Sequence, residues 1–159
     1  MNNMSALELA IRNERAEIAF YEKEAKRSTV RAASTLFLML AAQEEHHIRL
    51  LEELNRRLTR KGTWPEHIDT DSMTVNIDEV FEQLTLLDGG DTPQELSDIE
   101  ALKRAIEFEK RAEAFYTKLA KESADKQEEA FFSAIAGFER QHLGWIEAFL
   151  AAVLEVGDR

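Results

Sequence analysis

Apolar positions recur along this chain at alternating steps of three and four. From Phe37 the series runs Leu40, Glu44, His47, Leu51, Leu54 and Leu58. That spacing is one face of a single α-helix, the face that turns toward a core. Glu44 and His47 interrupt it. They stand one turn apart, point the same way and share the face with leucines. A carboxylate and an imidazole buried in such company are costly unless something compensates them, and a bound metal ion is the natural compensator.

The same series returns near the end of the chain as Phe132, Ile135, Glu139, His142, Ile146, Phe149 and Val153. Two further seams are also interrupted by acids. One reads Leu7, Ile11, Glu14, Ile18, Tyr21, Ala25, with Glu17 near its edge; the other reads Leu102, Ile106, Glu109, Glu113, Tyr116, Ala120. Four long helices are therefore predicted. The first is capped by Ser5, with Glu8 three residues on, and ends at Lys26 or Ser28. The second covers about 31–60 and stops at Gly62-Thr63-Trp64-Pro65. The third opens at Asp91-Thr92-Pro93, and the fourth follows a break at 123–125 and ends near Gly157. Short breaks near 28 and 124 make each pair an antiparallel hairpin. The stretch between the hairpins holds a candidate short helix over 76–84 and a break at Gly89-Gly90. It is long enough to cross from one end of a bundle to the other.

The halves repeat. Glu109, Tyr116, Glu139 and His142 each stand 95 positions after Glu14, Tyr21, Glu44 and His47. Without any gap, 17 of the 53 pairs between Ala6–Leu58 and Ala101–Val153 are identical. Chance would give only a few, so the expectation is a single all-α domain over 1–159, a four-helix bundle of two repeated hairpins with pseudo-twofold symmetry. Hairpin one spans about 5–60, the crossover 61–93 and hairpin two 94–157.

Composition narrows the chemistry. The absence of cysteine excludes disulfides, thiolate zinc sites and iron–sulfur centres within the chain and fits a reducing, cytoplasmic setting. A net charge of −11 argues against a nucleic-acid partner. No apolar run reaches membrane length, and the N-terminus lacks a signal-peptide core, so no membrane partner is expected.

Each hairpin supplies one lone Glu and one Glu-x-x-His. Together Glu14, Glu44, His47, Glu109, Glu139 and His142 place four carboxylates and two imidazoles in one core. Two divalent ions would neutralise the four negative charges. Without them the acids repel one another and some take up protons. Oxygen and imidazole ligands without sulfur suit iron or manganese, with zinc possible by affinity. Tyr21 and Tyr116 lie two turns beyond Glu14 and Glu109 on the same faces, where they can donate hydrogen bonds to ligand carboxylates. His46 points about 100° away from His47. His67 lies in the crossover. Phe37, Phe131, Phe132 and Phe138 read as core, and Trp145 as packing.

In these residues the sequence resembles the rubrerythrin-like branch of the ferritin-like superfamily. The resemblance covers both hairpins and rests on Glu14, Glu44-x-x-His47, Glu109 and Glu139-x-x-His142. It implies a di-iron site in which Glu14, Glu44 and His47 serve one metal and Glu109, Glu139 and His142 the other, two carboxylates bridging. Three features depart from the family. The rubredoxin-like domain that delivers electrons in rubrerythrins has no counterpart before Arg159. The extra ligand Glu expected one turn after the third-helix Glu is Ala112. Glu113, one residue later, and Glu17 in the first helix are the candidates for a seventh, mobile carboxylate.

The resemblance implies an oxidoreductase that reduces peroxide or dioxygen with electrons from an external donor. The alternatives are an iron-handling protein for ferrous oxidation, storage or delivery, and a structural or adaptor bundle with an inert metal site. A homo-oligomer is expected, a dimer foremost, with Phe138 and Trp145 as a candidate apolar contact strip.

Overall fold

The computed structural model describes residues 3–65 and 96–157. The described residues form four helices: α1 (Asn3–Arg27), α2 (Arg31–Lys61), α3 (Leu96–Glu122) and α4 (Lys126–Gly157). The candidate helix over 76–84, the Gly89-Gly90 break, the Asp91-Thr92-Pro93 start and His67 lie outside the described residues. α1 packs along α2 and α3 along α4, so the chain is an all-α four-helix bundle built of two hairpins. None of the described helices is long and apolar enough to cross a membrane.

The helix ends follow local chemistry. The described part of α1 opens at Asn3, so Ser5 lies within the helix rather than at the cap expected of it. In the first break, Ser28 Oγ accepts the Val30 N–H at 3.2 Å, and Ser34 Oγ donates to the Ala25 carbonyl at 2.8 Å. These bonds tie the start of α2 to the end of α1. α2 stops at Gly62, whose φ of 71° is the left-handed conformation that glycine adopts without steric penalty. Its N–H closes onto the Leu58 carbonyl at 2.8 Å. In the second break, the Asp125 carboxylate accepts the Gln127 N–H at 2.8 Å and caps α4.

The α2 and α4 seams are buried along their whole length, from Phe37 to Leu58 and from Phe132 to Val153. The apolar core divides into two bodies, each fed by all four helices. One holds Tyr21, Phe37, Leu40, Leu102, Ile146 and Phe149; the other holds Leu7, Leu51, Leu54, Tyr116, Phe132 and Ile135. The repeat exchanges these bodies residue for residue: Tyr21 corresponds to Tyr116, Phe37 to Phe132, Leu51 to Ile146. Tyr21 stacks on Phe37 at 6.2 Å and Tyr116 on Phe132 at 6.3 Å. Trp64 closes one body, packed 5.8 and 5.7 Å from the Phe131 and Phe132 rings.

One polar link between the hairpins has no counterpart in the repeat. Arg27 at the end of α1 donates to Glu24 and to the fully buried Asp98 of α3, each at 2.6 Å. A buried carboxylate that loses its cation keeps its desolvation cost. Arg27→Ala is therefore expected to destabilise the protein by about 1–3 kcal/mol in urea unfolding. An unchanged midpoint would mean that Asp98 does not depend on Arg27.

Candidate metal centre

Between the two apolar bodies lie the acids and imidazoles. Glu14, Glu44, His47, Glu109, Glu139 and His142 are all at most 1% exposed. They fall into two overlapping sets: Glu14, Glu44, His47 and Glu139 in one, Glu44, Glu109, Glu139 and His142 in the other. In each set one ligand atom per residue lies within 4.8 Å of the others. Glu44 and Glu139 belong to both. The centre is a buried carboxylate–histidine cluster able to hold metal ions.

Four distances follow the pseudo-twofold, while His47 Nδ1 to Glu44 at 3.7 Å has no counterpart within 4 Å between His142 and Glu139. His142 Nδ1 lies 2.9 Å from Glu44 and 3.6 Å from Glu109; His47 Nδ1 lies 3.3 Å from Glu139 and 3.9 Å from Glu14. Each imidazole thus approaches the lone Glu of its own hairpin and, more closely, the Glu-x-x-His acid of the other. The two rings are parallel to within 6°, with centroids 5.6 Å apart. Phe138 flanks His47 at 5.7 Å and Trp145 flanks His142 at 5.3 Å.

Whether these residues suit metal ions is tested by what their polar atoms do. Both oxygens of Glu44 and of Glu139, both nitrogens of His47, Nδ1 of His142 and one oxygen each of Glu14 and Glu109 are buried without a hydrogen-bond partner. Nδ1 of His142 and a Glu44 oxygen are close enough for a bond yet not aligned for one. Atoms that converge without pairing are what common ligation requires. Left unmetallated, each is an expensive orphan in an apolar interior. The residues fit the group.

The remaining oxygens of the lone acids are held by tyrosines, and the holding is crossed. Tyr21 donates to Glu109 at 2.5 Å and Tyr116 donates to Glu14 at 2.7 Å. The sequence places each tyrosine on the same helix face as its own hairpin's acid; the structure sends it across to the other hairpin. Burial, and then the nearby carboxylates, raise both phenols well above their ordinary range, so both remain donors. Such orienting partners typically contribute about 10–100-fold in metal affinity. Tyr116→Phe is expected to weaken metal binding within that range, read by competition with a chromogenic chelator; unchanged affinity would reduce Tyr116 to packing.

The two candidates for a seventh carboxylate separate. Glu17 is 5% exposed, and one of its oxygens is buried and unpartnered. Ile18, expected on the seam, is only half-buried. Glu113, also expected on the seam, turns away from the centre and accepts from Arg140 at 2.8 Å on a partly exposed surface. Positions three and four residues after a seam acid are both geometrically available. Packing between α1 and α3 selects position 17 in α1 and position 112 in α3. Neither Glu17 nor Glu113 belongs to the two ligand sets. His46 sits beside Arg49 on the outer side of α2. Trp145 is 1% exposed and so belongs to the core, not to an outer apolar strip, while Phe138 is half-buried.

Without metal, the centre distributes protons unevenly. Burial alone would raise Glu44, but His142 and His47 outweigh it and hold Glu44 at about 2. Burial alone would lower His142, but Glu109 and Glu44 carry it up to about 10. Burial, Glu109 and Glu44 together push Glu139 well above the usual carboxylate range. Ions that ligate here must therefore displace protons, His142's among them. Affinity is expected to rise as pH climbs from neutrality toward 10, where the metal-free imidazole gives up its proton unaided. Calorimetric titration in buffers of different ionisation enthalpy should show roughly one or more protons released per ion near neutral pH. Buffer-independent heats would contradict this.

No protein-family model matches the chain, and no curated protein or solved structure matches it. The rubrerythrin-like resemblance therefore rests on the repeat and on the residues of this centre.

Proposed function

We propose that the protein is a dimetal carboxylate oxidoreductase that binds two iron ions between its hairpins and reduces peroxide or dioxygen with electrons from an external donor. The observation that carries this reading is the pair of overlapping ligand sets sharing Glu44 and Glu139. Shared carboxylates would hold two ions near one another, and such a pair would supply two electrons for one O–O bond. Reduction of a peroxide consumes two electrons and two protons and yields water with water or an alcohol.

The chain's own groups supply the surroundings of that reaction. Tyr21 and Tyr116 fix Glu109 and Glu14 from opposite hairpins, so ligand orientation is set before any ion arrives. Two apolar bodies on either side of the centre exclude bulk water. Burial, and then Glu109, favour the protonated form of Glu17, which places a proton source beside the ligand sets. Glu44 and Glu139, common to both sets, would be placed to serve either ion.

The test is reduction of the iron-loaded protein without oxygen, followed by peroxide with a recycling reductant. Many peroxides consumed per chain support the proposal. A single stoichiometric oxidation with no turnover would replace it with an iron-handling role, and bound metal inert to both oxidants would leave a structural site.

A further inference from the structure

A cavity of about 190 Å³ opens where α1 meets α3. Three pairs of residues related by the 95-position repeat line it: Asn13 with Phe108, Ala16 with Arg111, and Glu17 with Ala112. A cavity lined by both members of successive repeat pairs straddles the pseudo-twofold. Its floor does not obey that symmetry. Glu14 and Tyr116 line it; their counterparts Glu109 and Tyr21 do not. The third pair is chemically unequal. Glu17 contributes a buried carboxyl to the lining. Ala112 contributes only a methyl to the lining.

We infer that a small uncharged peroxidic or hydroxylic molecule reaches the Glu14–His47 side of the centre through this cavity between α1 and α3. The inference rests on the proposed function and specifies how a substrate would arrive. Size sets the upper limit, because a cavity of about 150 Å³ accommodates benzene. The space thus takes hydrogen peroxide or a short-chain alkyl hydroperoxide of roughly six heavy atoms. The lining sets the polarity. Ala16, Ala112 and Phe108 supply apolar walls that tolerate an alkyl group, and Glu14 at the floor disfavours an anion. The unpartnered Glu17 oxygen offers a buried hydrogen-bonding group to an O–H at that floor. Arg111 lies at the rim with its guanidinium 5.6 Å from the Phe108 ring centre.

The test uses tert-butanol, the alcohol corresponding to a short-chain hydroperoxide, titrated into the metal-free protein and followed by NMR at the alanine methyls and tyrosine rings. Saturable shifts at Ala16, Ala112 and Tyr116, but not at Tyr21, are expected. Ala112→Leu and Ala112→Glu should each weaken binding at least tenfold; the second restores the carboxyl that the repeat places at 17 and guards against a packing artefact in the first. Equal binding by the parent and both Ala112 variants, or shifts centred on Tyr21 in the parent, would overturn the inference. Cobalt(II) uptake by the same samples separates the two readings. Two ions bound with no tert-butanol site sinks only the access route; a tert-butanol site at Tyr116 with no cobalt bound upholds the cavity and sinks the metal reading.

Discussion

Glu139→Ala is expected to lose both metal ions, whereas His142→Ala should lose one and keep the other. Elemental analysis after loading and gel filtration reads the difference directly. The asymmetry follows from membership: Glu139 contributes to both ligand sets, His142 to one. Glu44→Ala should behave like Glu139→Ala, and His47→Ala like His142→Ala. Helical content should persist in all four, because the seams on either side of the centre remain buried against their own apolar bodies. Removing an acid from a crowded metal-free cluster also relieves repulsion. Metal-free Glu139→Ala should therefore be at least as stable as the metal-free parent, while the loaded parent exceeds both. Two ions per chain retained in both Glu139→Ala and His142→Ala would refute the ligand assignment.

Chelation is expected to produce the largest change in thermal stability. A ligand that binds only the folded state stabilises it by about 4 kcal/mol when its free concentration is a thousandfold above Kd. Two such sites contribute about 8 kcal/mol, which for a chain of this size corresponds to roughly 15–30 °C in melting temperature. The orphaned atoms of the centre give the physical reason: metal ligation is what they lack among protein partners. Calorimetric scans before and after treatment with EDTA measure the shift. A melting temperature unchanged to within a few degrees would mean that the native centre does not hold metal under those conditions.

The bundle was legible in the sequence because helices announce themselves through periodicity. The α2 and α4 seams are buried as the three-four spacing predicts, and both short breaks fall where expected. The six central residues were legible for a related reason. A charged residue on an otherwise apolar face is an anomaly, and its recurrence at a fixed separation makes the anomaly a pattern. The network of Arg27, Glu24 and Asp98 carried no such signal, because charges near helix ends are ordinary on a solvated surface. Nor did the outward turn of Glu113: a seam acid has two neighbours one turn on, and one helix alone does not choose between them.

Periodicity and repetition thus established the four helices, their pairing into hairpins and the residues that face the interior. These are properties of single helices, written in local spacing. The partners of each side chain belong to the packing of one hairpin on the other. Only that packing sends Tyr21 to Glu109 and Tyr116 to Glu14, puts Glu44 and Glu139 into both ligand sets, and buries Trp145. It also sets Glu17 against Ala112 across one cavity. A helix dictates the direction in which a side chain leaves it; what that side chain meets depends on where the other helices come to rest.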